Sequence, residues 1–488
     1  RALEADSKVK GVHQNLATIC AIAKEWKLAS KHARLASLQK ENPTATLLQL
    51  DSFRRQTCDW PPEEEEQLLV KGLQYYKGTD ASPFLAMALT DSPDIQAKLA
   101  AKWHSSRNIN RVIPEGPISD KKRIRIGWFS NDFYDHATMF LIAGVFREYN
   151  SARFDFHIYD YGQPQDSDYG RRLRGQVDQY HLIHNIETNT VLDLVRSHNL
   201  DIAIDLKGFT RGSRTEMFDR GLAPLQITFL GYPGTSGNSA FDYMIADNIM
   251  ITPELRAFYT ESVMYMPHCY QPNDNQRIIS TRIFDRMSEG LPQSGFVFAC
   301  FNQAYKIGKI EFSIWMRLLD ALPDSVLWLY VDNQHARTAL RSQAIKLGID
   351  PTRLVFASSL ENSEHLARCR LADLFLDCFH VNAHTSASDV LWAGVPVVTK
   401  QGLQFSARVC SSLLHAAGLS WMVATSNEDY FELAHNYASN PELQRQTLEY
   451  LAKAKYSSAL FSTEKYTRDL ERLLETAHAS RLRGDEPA

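Results

Sequence analysis

Val381-Asn-Ala-His-Thr-Ser-Ala-Ser-Asp389 runs through Val-Leu-Trp-Ala-Gly394 into the apolar, strand-like segment Val395-Pro-Val-Val-Thr399. Thr385, Ser386 and Ser388 are small hydroxylated residues that open a short helix, and a strand over 371–377 precedes it, so the stretch reads as one strand-helix-strand unit. The first amides of that helix, and the positive end of its dipole, then face the tip of the preceding strand and form an anion site. Asp389 lies about one turn further in, where a carboxylate can accept hydrogen bonds from sugar hydroxyls while the amides hold phosphate. Anion and polyol recognition side by side suit a nucleotide-sugar diphosphate.

Working outward, the same alternation recurs. Lys121-Lys-Arg-Ile-Arg-Ile-Gly-Trp-Phe-Ser130 is a β-branched strand after a Pro- and Gly-bearing linker at 113–119. Strand-like runs follow at 154–161, 201–206, 225–230 and 243–247, with a helical pattern at 189–197. A second series spans 296–302, 325–330, 353–357, 371–377 and 395–399. Alternation of this kind predicts parallel α/β sheets, here two of them, with the break near 268–294. The expected division is 1–118 helical region and linker, 119–268 first Rossmann-like domain, and 269–488 second Rossmann-like domain with a terminal helix. Ligands in open α/β sheets bind beyond the carboxyl ends of the strands, so two such sheets imply a cleft.

Length and composition agree. A chain of 488 residues suggests about three domains, and 44% apolar with 23% charged residues is ordinary for a folded protein. A balance of 53 basic against 57 acidic residues argues against nucleic acid as a partner held by bulk charge. Seven cysteines without C-x-x-C spacing predict reduced thiols in a cytoplasmic protein, with neither disulfides nor zinc. No apolar run reaches the roughly 18 residues of a membrane helix, so no membrane partner is expected, and no signal-peptide pattern opens the chain. The first residue is Arg, which suggests further chain upstream.

Residues 11–43 read as two amphipathic helices, one with Leu16, Ile19, Ile22 and Ala23 on a face, the other with Leu28, Leu35 and Leu38. Trp26 lies between them. Length, small residues at packing positions and Pro43 match one tetratricopeptide unit, or equally a plain helical hairpin. Asp59-Trp-Pro-Pro-Glu-Glu-Glu-Glu66 is a helix start, with acids complementing the helix dipole.

Four further loops carry candidate chemistry. Asn302-Gln-Ala-Tyr-Lys-Ile307 follows a strand and places Gln303 and Lys306 at its carboxyl end, where a lysine can neutralise a departing diphosphate. His365 and Arg368 share a helix face, suited to stacking on a nucleobase and bonding its edge. Asp132 and His136, in Asn131-Asp-Phe-Tyr-Asp-His-Ala-Thr138, could share proton handling or form a structural pair. Gly231-Tyr-Pro-Gly-Thr-Ser-Gly237 forces a rigid turn, which lets backbone approach a sugar or simply turns the chain.

Taken together, GYPGTSG, FNQAYKI, LADLFLD, NAHTSASDVLWAG and FSTEKYTRDLE, in that order over roughly 120–475, resemble the catalytic region of the protein O-GlcNAc transferase family and its bacterial relatives. The resemblance implies an α/β fold of GT-B type, twin Rossmann-like domains behind an N-terminal α-helical, tetratricopeptide-like region. It implies inverting transfer from a UDP-sugar to Ser or Thr of polypeptide acceptors, with no metal and no cofactor. It further implies that Lys306 holds the β-phosphate and Gln303 the phosphate or ribose region. His365 and Arg368 would hold uracil, His384, Thr385 and Ser386 the diphosphate, and Asp389 the ribose. His136 and Thr138 would line the sugar and acceptor site, with Gly231, Tyr232 and Pro233 nearby.

Three departures bear on specificity. Ala137 replaces a proline beside the expected sugar, Phe84 stands where the animal enzyme has histidine and cannot transfer protons, and Asn362 replaces a lysine near the nucleotide. Related branches transfer hexose to asparagine or, in the SPINDLY branch, fucose from a GDP-sugar; the His365 and Asn-Ala-His-Thr signatures look closer to the UDP-GlcNAc branch. A UDP-sugar epimerase of the same architecture and an inactive repeat scaffold are the competing readings.

Overall fold

The computed structural model describes residues 11–40, 43–105 and 122–486. The linker at 113–119 and the division at 118/119 lie outside them. The chain forms two compact units, each assembled from separate segments. One comprises Gln96–Arg277, His415–Gly418 and Ala454–Ala488; the other comprises Arg1–Ile95, Ile278–Leu414 and Leu419–Lys453. One passage of the chain between the units lies at 277/278.

The first unit holds a seven-stranded parallel sheet: β1 (Ile124–Ser130), β2 (Phe154–Asp160), β3 (Gln179–Leu182), β4 (Ile202–Asp205), β5 (Leu225–Thr228), β6 (Tyr243–Asp247) and β7 (Ser262–Met266). Their order is β3-β2-β1-β4-β5-β6-β7, so the winding reverses between β1 and β4. β1 and β2 are buried on both faces along most of their length, five and six of seven residues respectively, as in a parallel sheet covered on both sides. Trp128 meets Phe146 and Phe156 edge-on, each at 5.3 Å, while Phe129 stacks on Tyr159 at 4.5 Å. The terminal helix Thr463–Arg483 belongs to this unit, where Thr463 Oγ1 donates to the Asn273 carbonyl at 2.7 Å and Glu471 accepts from the Asn150 amide at 2.6 Å.

The second unit repeats the topology. β8 (Val297–Cys300), β9 (Val326–Tyr330), β10 (Leu354–Ala357), β11 (Leu374–Leu376), β12 (Val397–Lys400) and β13 (Val423–Ala424) lie in the order β10-β9-β8-β11-β12-β13, reversing between β8 and β11. The N-terminal helices pack on this sheet's loops. Trp60 Nε1 donates to the Ile307 carbonyl at 3.0 Å, His380 Nδ1 lies 3.1 Å from the Ala88 carbonyl, and Asp91 accepts from the Leu403 and Gln404 amides.

Helices Val12–Ile22, Trp26–Ser37 and Glu63–Gln74 form where the sequence predicts them, but their packing face differs from the apolar spacing. Ala17, Ala29 and Ala33 are fully buried against Leu50 and Phe53, whereas Ile19, Ile22 and Leu38 are more than half exposed. Small side chains at the contact let the helices approach closely. Among the described residues no helix is long and apolar enough to cross a membrane.

Candidate functional site

Each sheet places one lysine at the crevice where its winding reverses. In the second unit, the segment after β8 forms a 3-10 turn, Ala304–Lys306, with exposed Gln303 at its N-cap. Lys306 Nζ donates at 2.9 Å to the carbonyl of Asn382, which follows β11, so the contact spans the reversal point. That loop is tightly fixed. Asn382 is fully buried, its Nδ2 donates to the Cys378 carbonyl at 2.8 Å, and its amide donates to the Ser406 carbonyl at 2.9 Å.

Asp377, also fully buried, anchors the same loop by accepting from the Ala383 amide at 2.6 Å, the Cys378 amide at 2.8 Å and Thr399 Oγ1 at 2.7 Å. Burial pushes its carboxyl up to about 6 against those hydrogen bonds. His384 then stands at the N-terminal boundary of helix Thr385–Ala393, whose Thr385 and Ser386 are partly exposed and whose Ser388 and Asp389 are buried. Burial first, and Lys306 second, push His384 down to about 3, so the imidazole is neutral; its Nε2 lies 3.3 Å from the Ser406 carbonyl. Burial likewise lowers the Lys306 ammonium, with Cys378 and Asp377 pulling the other way. A half-buried ammonium whose hydrogen-bond partner is a neutral carbonyl, beside a helix N-terminus, is a site for an anion.

Helix Asn362–Cys369 carries His365 and Arg368. Arg368 is almost fully buried: its Nε donates to His365 Nδ1 at 3.2 Å, its guanidinium lies 3.6 Å from Glu289 and it sits over the Trp328 ring. Arg368 therefore fixes the His365 ring, which also meets Phe301 edge-on at 5.0 Å. A cavity of about 700 Å³, bordered by Trp60, Glu66, Lys71, Lys306, Lys309 and Phe379, adjoins the lysine within this unit.

In the first unit the arrangement is analogous. Asp132 follows β1 and Lys207 follows β4; Lys207 Nζ donates to Asp132 Oδ2 at 2.7 Å and both are buried. His136 caps helix Ala137–Glu148, and its Nδ1 accepts from the Thr138 amide at 3.2 Å and lies 3.6 Å from Asp132 Oδ2. Burial lowers the His136 imidazole despite Asp132. With Nδ1 engaged as an acceptor, the neutral ring carries its proton on Nε2 and presents a donor there. Thr138 is buried beside it.

After β5, Gly231, Tyr232 and Pro233 form the expected turn. A Cβ on Gly231 would lie 1.8 Å from the Leu206 carbonyl oxygen, which makes glycine obligatory there. Fully buried Glu261 clamps the turn by accepting from Thr235 Oγ1 at 2.7 Å and the Ser236 amide at 2.6 Å. Sequence reasoning groups Asp132 with His136, and Lys306 with His384 and the helix beginning at Thr385. It misses Lys207, Asp377, Asn382 and Glu261.

Comparison with known proteins places this geometry in context. The profile of glycosyl transferase family 41 matches residues 109–283 and 274–470. The probable UDP-N-acetylglucosamine-peptide N-acetylglucosaminyltransferase SEC of Arabidopsis thaliana is 31% identical over 428 residues, which cover 84% of this chain and 44% of the plant protein. The UDP-N-acetylglucosamine-peptide N-acetylglucosaminyltransferase of Caenorhabditis elegans is 23% identical, over 73% of this chain and 41% of its own length. The chain thus spans less than half the length of these relatives. A solved mutant of the Thermobaculum terrenum O-GlcNAc transferase shares the fold with a TM-score of 0.83 at 23% identity, covering 99% of this chain and 93% of that one.

Proposed function

Given that the chain belongs to glycosyl transferase family 41, we propose that it is an inverting glycosyltransferase that moves N-acetylglucosamine from its UDP-sugar to Ser and Thr hydroxyls of polypeptides. An acceptor hydroxyl oxygen attacks the anomeric carbon in line as the bond from that carbon to the β-phosphate oxygen breaks, and the hydroxyl proton passes to the departing diphosphate, the base the step generates. Positive charge grows on the sugar and negative charge on the leaving diphosphate. The observation that carries the reading is Lys306 Nζ, held 2.9 Å from the Asn382 carbonyl next to the N-terminus of helix Thr385–Ala393. Ammonium and helix amides fixed there stabilise the leaving group more in the transition state than in the ground state.

The remaining roles follow from chemistry. His365, oriented by Arg368, offers a flat ring to uracil; Gln303, His384, Thr385 and Ser386 supply polar contacts to the diphosphate region, and Asp389 accepts from ribose hydroxyls. His136 donates from Nε2 to the sugar or acceptor, with Asp132 holding that ring's surroundings and Thr138, Gly231, Tyr232 and Pro233 lining the site. Transfer on this scheme needs no metal and no cofactor. Seven cysteines outside any disulfide among the described residues, six of them buried, support a reducing, cytoplasmic setting.

The test is incubation of the chain with a Ser/Thr peptide and UDP-GlcNAc, UDP-glucose or GDP-fucose, with glycopeptide read by mass spectrometry. Glycopeptide from UDP-GlcNAc is expected. Sugar transfer only from GDP-fucose, or release of an epimerised free nucleotide sugar, would overturn the proposal.

A further inference from the structure

His157, His181 and His198 converge on one face of the first unit's sheet, with one ring nitrogen from each within 4.8 Å of the others. The ladder explains two of them: His157 and Tyr159 share a face of β2, and Tyr159 stands opposite His181 of the edge strand β3. His198 arrives from the C-cap of helix Thr188–Ser197, ahead of β4. The trio therefore sits on the sheet face and not at the carboxyl-end crevice. The rings crowd together, His181 to His198 at 4.5 Å and His157 to His181 at 5.8 Å.

Several observations ask for a cation there. His157 Nδ1 and His181 Nε2 are buried without a hydrogen-bond partner among the described residues, although an imidazole ordinarily satisfies both of its nitrogens. Two rings are also oriented from outside: Asp155 Oδ1 lies 3.2 Å from His157 Nε2, and the Tyr159 hydroxyl lies 2.7 Å from His198 Nδ1. A carboxylate or hydroxyl behind a histidine is the arrangement that orients metal ligands. The Arg125 guanidinium opposes a cation at His157 and His198, and Asp155, 3.6 Å from its Nε, offsets it.

We propose that His157, His181 and His198 bind one divalent late transition-metal ion, of which Zn²⁺ is the type, with Asp155 orienting His157. Imidazole nitrogen suits zinc and its neighbours and not magnesium or calcium, which take oxygen ligands. Half-buried His181 and His198 give the ion a way in, and water completes the coordination. The ion ties the edge strand β3 and helix Thr188–Ser197 to β2, a structural role separate from sugar transfer.

The experiment uses the intact chain stripped with chelator, followed by calorimetric titration and thermal melts with Zn²⁺ or Mg²⁺. One equivalent of Zn²⁺ is expected to bind and raise the melting temperature, and Mg²⁺ to do neither. His181→Gln and His198→Gln should each remove that equivalent, and Asp155→Asn should weaken it about 10–100-fold. An unchanged zinc response in either glutamine variant, or none in the parent chain, overturns the proposal. Should a variant fail to fold, Co²⁺ absorption of the parent chain decides: intense ligand-field bands of a nitrogen-rich, low-coordinate site support it, and the weak spectrum of aqueous Co²⁺ refutes it.

Discussion

Lys207 Nζ lies 2.7 Å from Asp132 Oδ2, joining the loops after β1 and β4 across 75 residues of chain, with both side chains buried. Such a pair is worth little relative to an apolar substitute, but halving it strands a charge. Lys207→Met should therefore cost about 3–5 kcal/mol in denaturant unfolding. Adding Asp132→Asn should restore much of that, because the partner charge is gone too. Additive losses in the double variant would show that the two side chains do not act as a pair.

Lys306 is the analogous residue of the second sheet, yet its partner is a carbonyl and not a carboxylate. Its loss should spare the fold and strike the chemistry. Lys306→Ala is expected to lower kcat about 10²–10³-fold, as removal of a preorganised charge stabiliser does. Circular dichroism should remain unchanged, and the KM for a peptide acceptor should move little. Steady-state UDP release checks this, and an equal loss in acceptor KM with kcat intact would reassign the lysine to acceptor binding.

Most of the sheet framework is legible in the sequence because its strands are apolar and bounded by turn residues. β3 is not: Gln-Tyr-His-Leu at 179–182 is a partly exposed edge strand with no alternation to read. The N-terminal helices are found but their faces are reversed, since alanine spacing is a weaker signal than leucine spacing while alanine packing is tighter. At the site, the small hydroxylated run Thr385, Ser386 and Ser388 is readable as a helix start. Lys207 and Asn382 are not, because each matters through a partner 75 or 76 residues away, brought near only by the β3-β2-β1-β4 and β10-β9-β8-β11 strand orders.

His384 gives a pH prediction whose sign is fixed. Its folded value, about 3, lies below the ordinary 6.5, so between those values the unfolded chain binds a proton that the folded chain does not. The stability it contributes is complete above pH 6.5 and is lost as pH falls toward 3. The slope it adds is at most about 1.4 kcal/mol per pH unit, less for a ring that is only half-buried. Unfolding free energies of the parent and His384→Gln, measured from pH 7 to pH 4.5, should converge on acidification. Parallel curves would mean that the imidazole titrates normally.

Gly231 tests the rigid turn against an unconstrained control. A Cβ there would stand 1.8 Å from the Leu206 carbonyl oxygen and 2.4 Å from its carbon, both backbone atoms that a rotamer change cannot move. Gly231→Ala must therefore displace the loop that carries Tyr232 and Pro233, at a cost of about 1–3 kcal/mol or more. Gly175, in helix Asp168–Gln176, meets nothing within 4 Å of its added Cβ, so Gly175→Ala should stabilise by about 0.4–1 kcal/mol through the unfolded chain. Melting temperatures of the two variants should move in opposite directions, and the Gly231 variant should also lose donor binding out of proportion to its lost stability. If Gly231→Ala melted with the parent and bound donor normally, the turn could not be the close backbone wall that the Leu206 contact describes.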